Sequence, residues 1–125
     1  MDQKPPKRII LESPFAGKGL PGSDEPTERA KLTQRNIEYG RRCLRDSLFR
    51  GEAPIASHLL YTQPGVLNDN DPDERRLGIN AGLVWGVVAE ATVVYTDYGI
   101  SKGMEYGIAR AKAENRPVEY RKILS

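Results

Sequence analysis

Apolar residues recur along this chain in two rhythms, short runs of strand type and longer stretches with three- and four-residue spacing of helix type. Arg8-Ile9-Ile10-Leu11 is a short apolar run that predicts a first strand. From Ser23 or Asp24 to about Arg50, Leu32, Ile37, Tyr39, Cys43, Leu44 and Leu48 form one apolar helical face among Arg and Glu. Pro26 suits the first turn of that helix and Gly51 its end. Ala53 to Tyr61 reads as a second strand, with Pro54 at its entrance and His58 inside it. Asp71-Pro72-Asp73-Glu74 reads as a helix N-cap, a first-turn proline and favourable acids. The helix that follows, residues 75–89, is apolar nearly all round after Leu77. Ala91 to Thr96 predicts a third strand and Ser101 to Asn115 a helix with Met104, Ile108 and Ala111 inward. Arg116-Pro117 ends that helix, and Val118 to Leu124 is the last strand.

The order is therefore βαβαβαβ, which suits right-handed crossovers and a mainly parallel sheet. We expect a small three-layer α/β fold of the flavodoxin/Rossmann type with four to five strands. Residues 1–7 form a polar, proline-containing tail and 8–125 one domain. The length of 125 residues suits one core. Nineteen basic against 17 acidic residues leave a net charge of +2, too small a surplus to argue for nucleic acid. One cysteine, Cys43, excludes an internal disulfide and a C-x-x-C site, and suits a reducing cytoplasm. No stretch approaches a membrane span, and the start is not a secretory signal. The aspartates of the 62–73 loop fail the EF-hand spacing, so neither a metal nor a cofactor is expected.

Gly78, Ala81, Gly82 and Gly86 place small residues at helical spacing on the apolar helix. Glycine costs about 1 kcal/mol inside a helix relative to alanine, so several imply a gain from close backbone approach. The helix then predicts a homo-oligomer with Trp85 at or near the interface; burial within the monomer is the alternative.

Candidate chemistry gathers at the carboxyl edge of the strands, where open α/β sheets bind ligands. The first strand ends in Ser13-Pro14-Phe15-Ala16-Gly17, inside a glycine- and proline-rich loop. It is neither a Walker A loop nor a dinucleotide fingerprint, but its N–H groups can approach phosphate or sugar oxygens. Tyr61 lies near the same edge, and His58 is either a hydrogen-bonded structural residue or a site residue. Asp97 sits where the third strand ends and Glu105 near the start of the next helix. Two carboxylates there can divide acid and nucleophile roles; a turn-forming Asp and a surface Glu are the plainer readings.

Gly103-Met104-Glu105-Tyr106-Gly107-Ile108-Ala109 resembles the Gly-Met-Glu-Leu-Gly-Tyr-Ala type segment of nucleoside 2-deoxyribosyltransferases. Ser13-Pro14-Phe15-Ala16-Gly17 is similar to that family's Gly-Pro-Phe segment. The stretch from Ser57-His58 to Gly103-Met104 also looks like an uncharacterised phage and bacterial branch of the superfamily. The resemblance implies Glu105 as nucleophile at an anomeric carbon and Asp97 as the group that holds and protonates the base. It implies a pocket-lining role for the segment that holds Ser13, Pro14, Phe15 and Gly17. Apart from the resemblance, Tyr61 or Tyr98 could orient Glu105 or stack on the base, and His58 and Ser101 are further candidate substrate contacts at the same edge. Asn80 falls near a further acidic position of the transferases and could hydrogen-bond a base without protonating it. Nothing clearly matches their C-terminal residue from a neighbouring subunit.

The expected activity is cleavage or transfer of an N-glycosidic bond in a nucleoside or nucleotide, through an oxocarbenium-like state. The alternative is a module on the same fold that binds or sequesters a nucleotide-derived signal. A third reading is an inert interaction protein. A pocket holding both carboxylates favours the enzyme; a groove lined by Arg and backbone N–H favours the binder.

Overall fold

The computed structural model describes residues 5–16 and 25–124. The elements are β1 (Lys7–Glu12), α1 (Pro26–Phe49), β2 (Glu52–Ile55), α2 (Ser57–Leu60), α3 (Pro72–Gly86), β3 (Ala91–Tyr95), α4 (Lys102–Ala113) and β4 (Val118–Arg121). The four strands form one sheet in the order β2-β1-β3-β4, every pair parallel. This is a small α/β fold of the Rossmann/flavodoxin type, as the alternation of elements predicts.

Alternation along the strands separates two apolar layers. Ile9 and Leu11 of β1 and Ala91, Val93 and Tyr95 of β3 pack with Tyr39 and Cys43 of α1. On the other face, Val94 packs with Met104 and Ile108 of α4, and Val118 adjoins them. β3 is buried at all five positions because it is central and covered on both faces. Burial raises the Cys43 thiol to about 12, so it is packed in the core as an inert neutral group.

The second strand is shorter than its apolar pattern suggests. β2 ends at Ile55, and 57–60 make one helical turn closed by Leu60 N to Ala56 O and Tyr61 N to Ser57 O, both at 3.0 Å. His58 is therefore on a helix and not inside a strand. Ser57 packs against α3 where Gly82 has no side chain; a Cβ there would collide with it. That packing overrides the strand tendency of the segment. Pro54 lies inside β2, which an edge strand tolerates because one flank needs no ladder bonds.

α1 also departs from its apolar pattern. Its buried positions are Asn36, Tyr39, Gly40, Cys43 and Ser47, while Leu48 is 57% exposed. The polar members of that face have partners: Asn36 Nδ2 donates to Phe15 O at 3.0 Å and Ser47 Oγ to Glu52 Oε1 at 2.8 Å. The expected helix start at Ser23 or Asp24 lies outside the described residues. Asp71 caps α3 as expected, accepting from Asp73 N at 2.9 Å and Glu74 N at 3.3 Å. Ser101 caps α4 by accepting from Met104 N at 3.3 Å. α3, β3, α4 and β4 end at Gly86, Tyr95, Ala113 and Arg121, earlier than their apolar patterns suggest.

One buried ion pair ties β4 to β2. Arg121 donates to Glu52 Oε1 at 2.8 Å and Oε2 at 2.6 Å, and to Tyr95 OH at 3.2 Å. The Arg121 hydrogen bonds hold the Glu52 carboxyl below its usual range, against a smaller opposing push from burial. Removing Arg121 leaves the largely buried Glu52 carboxylate without its cation and with only the Ser47 hydroxyl as donor. Arg121→Met should therefore cost about 3 kcal/mol in urea unfolding. A loss under about 0.5 kcal/mol, the scale of a surface pair, would contradict this account.

Candidate functional site

A cleft of about 750 Å³ opens beside the carboxyl end of β1, walled by α2, α3 and α4. β1 pairs with β2 on one side and with β3 on the other, so the chain leaves these neighbours in opposite directions. The cleft thus lies at the topological switch point, where sheets of this type bind ligands. Its floor is formed by Ile10 and Glu12 of β1 and by Ser13 just beyond. α4 contributes its first turns, Ser101 to Met104 and Gly107. Arg75, Lys102, Arg110 and Arg116 bring positive charge to its walls.

Of the residues singled out in the sequence, five line this cleft: Ser13, Phe15, His58, Tyr61 and Ser101. Ser13 Oγ and His58 Nε2 share a hydrogen bond at 2.7 Å. Burial lowers the His58 imidazole from 6.5 to about 4, so it is neutral near pH 7. Tyr61 OH accepts a bond from Trp85 Nε1 at 3.1 Å, which steers the ring from α3.

The two carboxylates expected to act together are not among the lining residues. Asp97 faces the other way: Tyr39 OH donates to its Oδ2 at 2.5 Å, and the N–H groups of Ile123 and Leu124 donate at 3.0 and 2.7 Å. Burial pushes this carboxyl upward, but those donors outweigh it and hold it below the usual range. Asp97 is thereby occupied in fastening the C-terminal segment to α1. Glu105, in the first turn of α4, is exposed. Asn80 is exposed on α3, and Pro14 is buried outside the lining. Tyr98 packs edge-on to Tyr39 with centroids 4.8 Å apart, under the Arg35 guanidinium. Gly17 lies outside the described residues.

Glu12 is the residue that the sequence reading passed over. It closes an apolar strand at the edge where ligands bind, and that placement was the available signal. Its carboxyl sits in the cleft wall, where burial raises it from 4.5 to about 8 against the opposing pull of Arg116. It keeps its proton at neutral pH. Perturbed groups of this kind cluster at functional sites. Among the described residues, no group of three or more His, Cys, Asp or Glu side chains is placed to hold a metal. Nor is any described helix long and apolar enough to cross a membrane.

Fold and cleft together define a small switch-point α/β protein of the Rossmann/flavodoxin class. A family model described as "Domain of unknown function (DUF7768)" matches residues 7–121, and the chain belongs to that family. No curated protein matches the sequence.

Glu12 and His58 act in opposite directions on stability. Unfolded, His58 binds a proton near 6.5, but folded only near 4, so its effect adds stability as pH rises between those values. Unfolded, Glu12 loses its proton near 4.5, but folded only near 8, so stability falls as pH rises through that window. The two slopes offset each other up to pH 6.5, and Glu12 alone acts from 6.5 to 8. Between those two pH values, urea unfolding should lose about 2 kcal/mol in the wild type and much less in Glu12→Gln. Equal losses in both proteins would remove Glu12 as the cause.

Proposed function

We propose that this protein binds a nucleotide or nucleotide-derived signal in the switch-point cleft, as a binding module. The observation that carries the reading is the contrast at the cleft. Cationic side chains face it, while Asp97 and Glu105, the pair a glycosidic mechanism would employ, lie outside its lining. Arg75, Arg110 and Arg116 add positive charge while held by Asp69 and Glu114, and Lys102 is placed to meet a phosphate as a point charge. Ile10, Phe15 and Leu83 offer apolar wall, and Tyr61 and Tyr106 offer aromatic rings to a base. The volume of about 750 Å³ is of the size that holds a small organic ligand. A buried, free Cys43 suits a reducing cytoplasm.

One observation favours a catalytic second reading, in keeping with the resemblance to nucleoside 2-deoxyribosyltransferases. A departing base needs a proton, and Glu12 holds one at neutral pH. In that reading the C–N bond breaks with its electron pair to the base, which takes the Glu12 proton. Glu105, which lies outside the lining, would have to reach in to attack the anomeric carbon, and water or a second base then releases the sugar.

Incubating the purified protein with a panel of nucleosides, nucleotides and cyclic ADP-ribose separates the readings by chromatography. Intact ligand, retained equally by wild type and Glu105→Ala, is the expected outcome. Free base released by wild type and not by Glu105→Ala would replace the binding module with the enzyme.

The protein also self-associates through α3 and the turn after it. Supporting this, Leu77, Val84 and Val87 are 61%, 71% and 72% exposed, beside Trp85 and Val88. Exposed apolar residues gathered on one helix suit contact with another copy. Sedimentation should show a dimer or larger species that Val84→Lys dissociates. A wild type that remains monomeric at high micromolar concentration would end this part of the proposal.

A further inference from the structure

Gly107 lies in the middle of α4, in ordinary helical backbone, where no turn calls for glycine. Glycine there costs about 1 kcal/mol relative to alanine. What it allows is an approach: a Cβ at this position would run into the Glu12 carboxyl. The Glu12 carboxyl therefore rests on bare helix backbone, at the end of β1 and in the wall of the cleft.

The seat supplies space but no partner. Among the described residues, none hydrogen-bonds the Glu12 carboxyl. Arg116 is turned to Thr92 Oγ1 at 2.9 Å, Gly86 O at 2.8 Å and Glu114 Oε1 at 2.6 Å. The remaining charged groups facing the cleft are Asp69, Glu74 and Arg75 from the α3 side, and Lys102 and Arg110 from α4. Asp69 and Arg75 pair at 2.8 Å, Glu74 accepts from Asn68 N at 3.1 Å, and Arg110 pairs with Glu114 at 2.8 Å. His58 is engaged with Ser13. The carboxyl is half-buried, and among the described residues no buried side-chain oxygen or nitrogen lacks a partner, so its oxygens open to the cleft, where a bound ligand can meet them.

We infer that Glu12 reads the ligand's heterocycle, its carboxyl O–H donating to a ring nitrogen or carbonyl oxygen of a base bound in the cleft. The inference rests on the nucleotide reading above and gives it a recognition group. Only the protonated acid can donate, and burial keeps that form dominant up to about pH 8. Gly107 is a positioning residue in this scheme, because it holds open the place where the acid lies. The proton stays shared between Glu12 and the base, so recognition requires no bond to break.

The test is calorimetric titration of the full chain with AMP, GMP, CMP and UMP at pH 7 and pH 9. Phosphate is mostly dianionic at both values, and adenine and cytosine have no ring N–H to lose at the higher pH, so AMP and CMP carry the pH comparison while GMP and UMP serve for selectivity at pH 7. The wild type should bind a subset of the four and lose about tenfold in affinity at pH 9, following the loss of the acid form. Glu12→Gln keeps an N–H donor and should bind a lone-pair acceptor with no comparable pH dependence. Glu12→Leu should bind weakly at both pH values, with folding verified by circular dichroism. Gly107→Ala, which crowds the carboxyl, should weaken binding at pH 7. Nucleotide binding that is equal in wild type and Glu12→Leu, or equally strong at pH 7 and 9, would overturn the Glu12 inference and leave the nucleotide reading intact. Absence of binding by all four nucleotides, in wild type and Glu12→Gln alike, would overturn both.

Discussion

Pairing of β1 with β3 is the constraint on which the remaining structure depends. It joins strands about eighty residues apart, aligning Ile9 with Ala91 and Glu12 with Val94. Contacts just before β3 secure its register: Arg8 N donates to Glu90 Oε2 and Glu90 N to Arg8 O, both at 2.8 Å. Because β1 also pairs with β2, it is covered on both flanks, and its side chains alternate between α1 and the α3/α4 side. One consequence is that Leu11 enters the core while Glu12, the next residue, reaches the cleft. A one-residue slip would exchange them and bury a carboxyl among the α1 contacts.

Two carboxylates near the sheet's carboxyl edge show how surroundings divide like groups. Asp97 is met by a phenol and two backbone N–H groups, and stays ionised because its charge is solvated by those dipoles. Its effect is mechanical: the segment after β4 is drawn against α1. Glu12 meets helix backbone and apolar wall and is held neutral. Glu12 is the more desolvated of the two and also lacks such donors, so burial and the missing donors act in the same direction. The same reasoning separates Glu52, held ionised by Arg121, from Glu12, whose neighbouring Arg116 is directed elsewhere.

The fold was legible in the sequence because its signals are local. Strand runs, the Asp71-Pro72 and Ser101 caps, and inward Met104, Ile108 and Ala111 each depend on a few neighbouring residues. Legibility failed where tertiary packing overrode local tendency, as at residues 57–60, drawn into a turn against Gly82. It also failed where a face is polar for a reason: Asn36 and Ser47 of α1 are buried with partners that no periodicity announces. The site was legible in part. Its edge, and Ser13, Phe15, His58, Tyr61 and Ser101 on it, follow from strand order. Which acid faces the cleft does not, because Glu12 and Gly107 meet across some ninety-five residues of chain.

The helix glycines make the same point in reverse. Read along the sequence, Gly78, Gly82 and Gly86 suggest a smooth stripe for a partner helix. In the fold each receives a side chain from the same molecule: Leu67 at Gly78, Ser57 at Gly82 and Arg116 at Gly86. With Gly107 under Glu12, glycine recurs where α3 and α4 border the cleft. Two of the side chains so admitted are ionisable: a Cβ at Gly107 would displace Glu12, and one at Gly86 would crowd Arg116. The glycines are therefore better understood as shaping the cleft wall than as an oligomer seam. Any self-association through α3 has to use its opposite, exposed apolar side, leaving the cleft open.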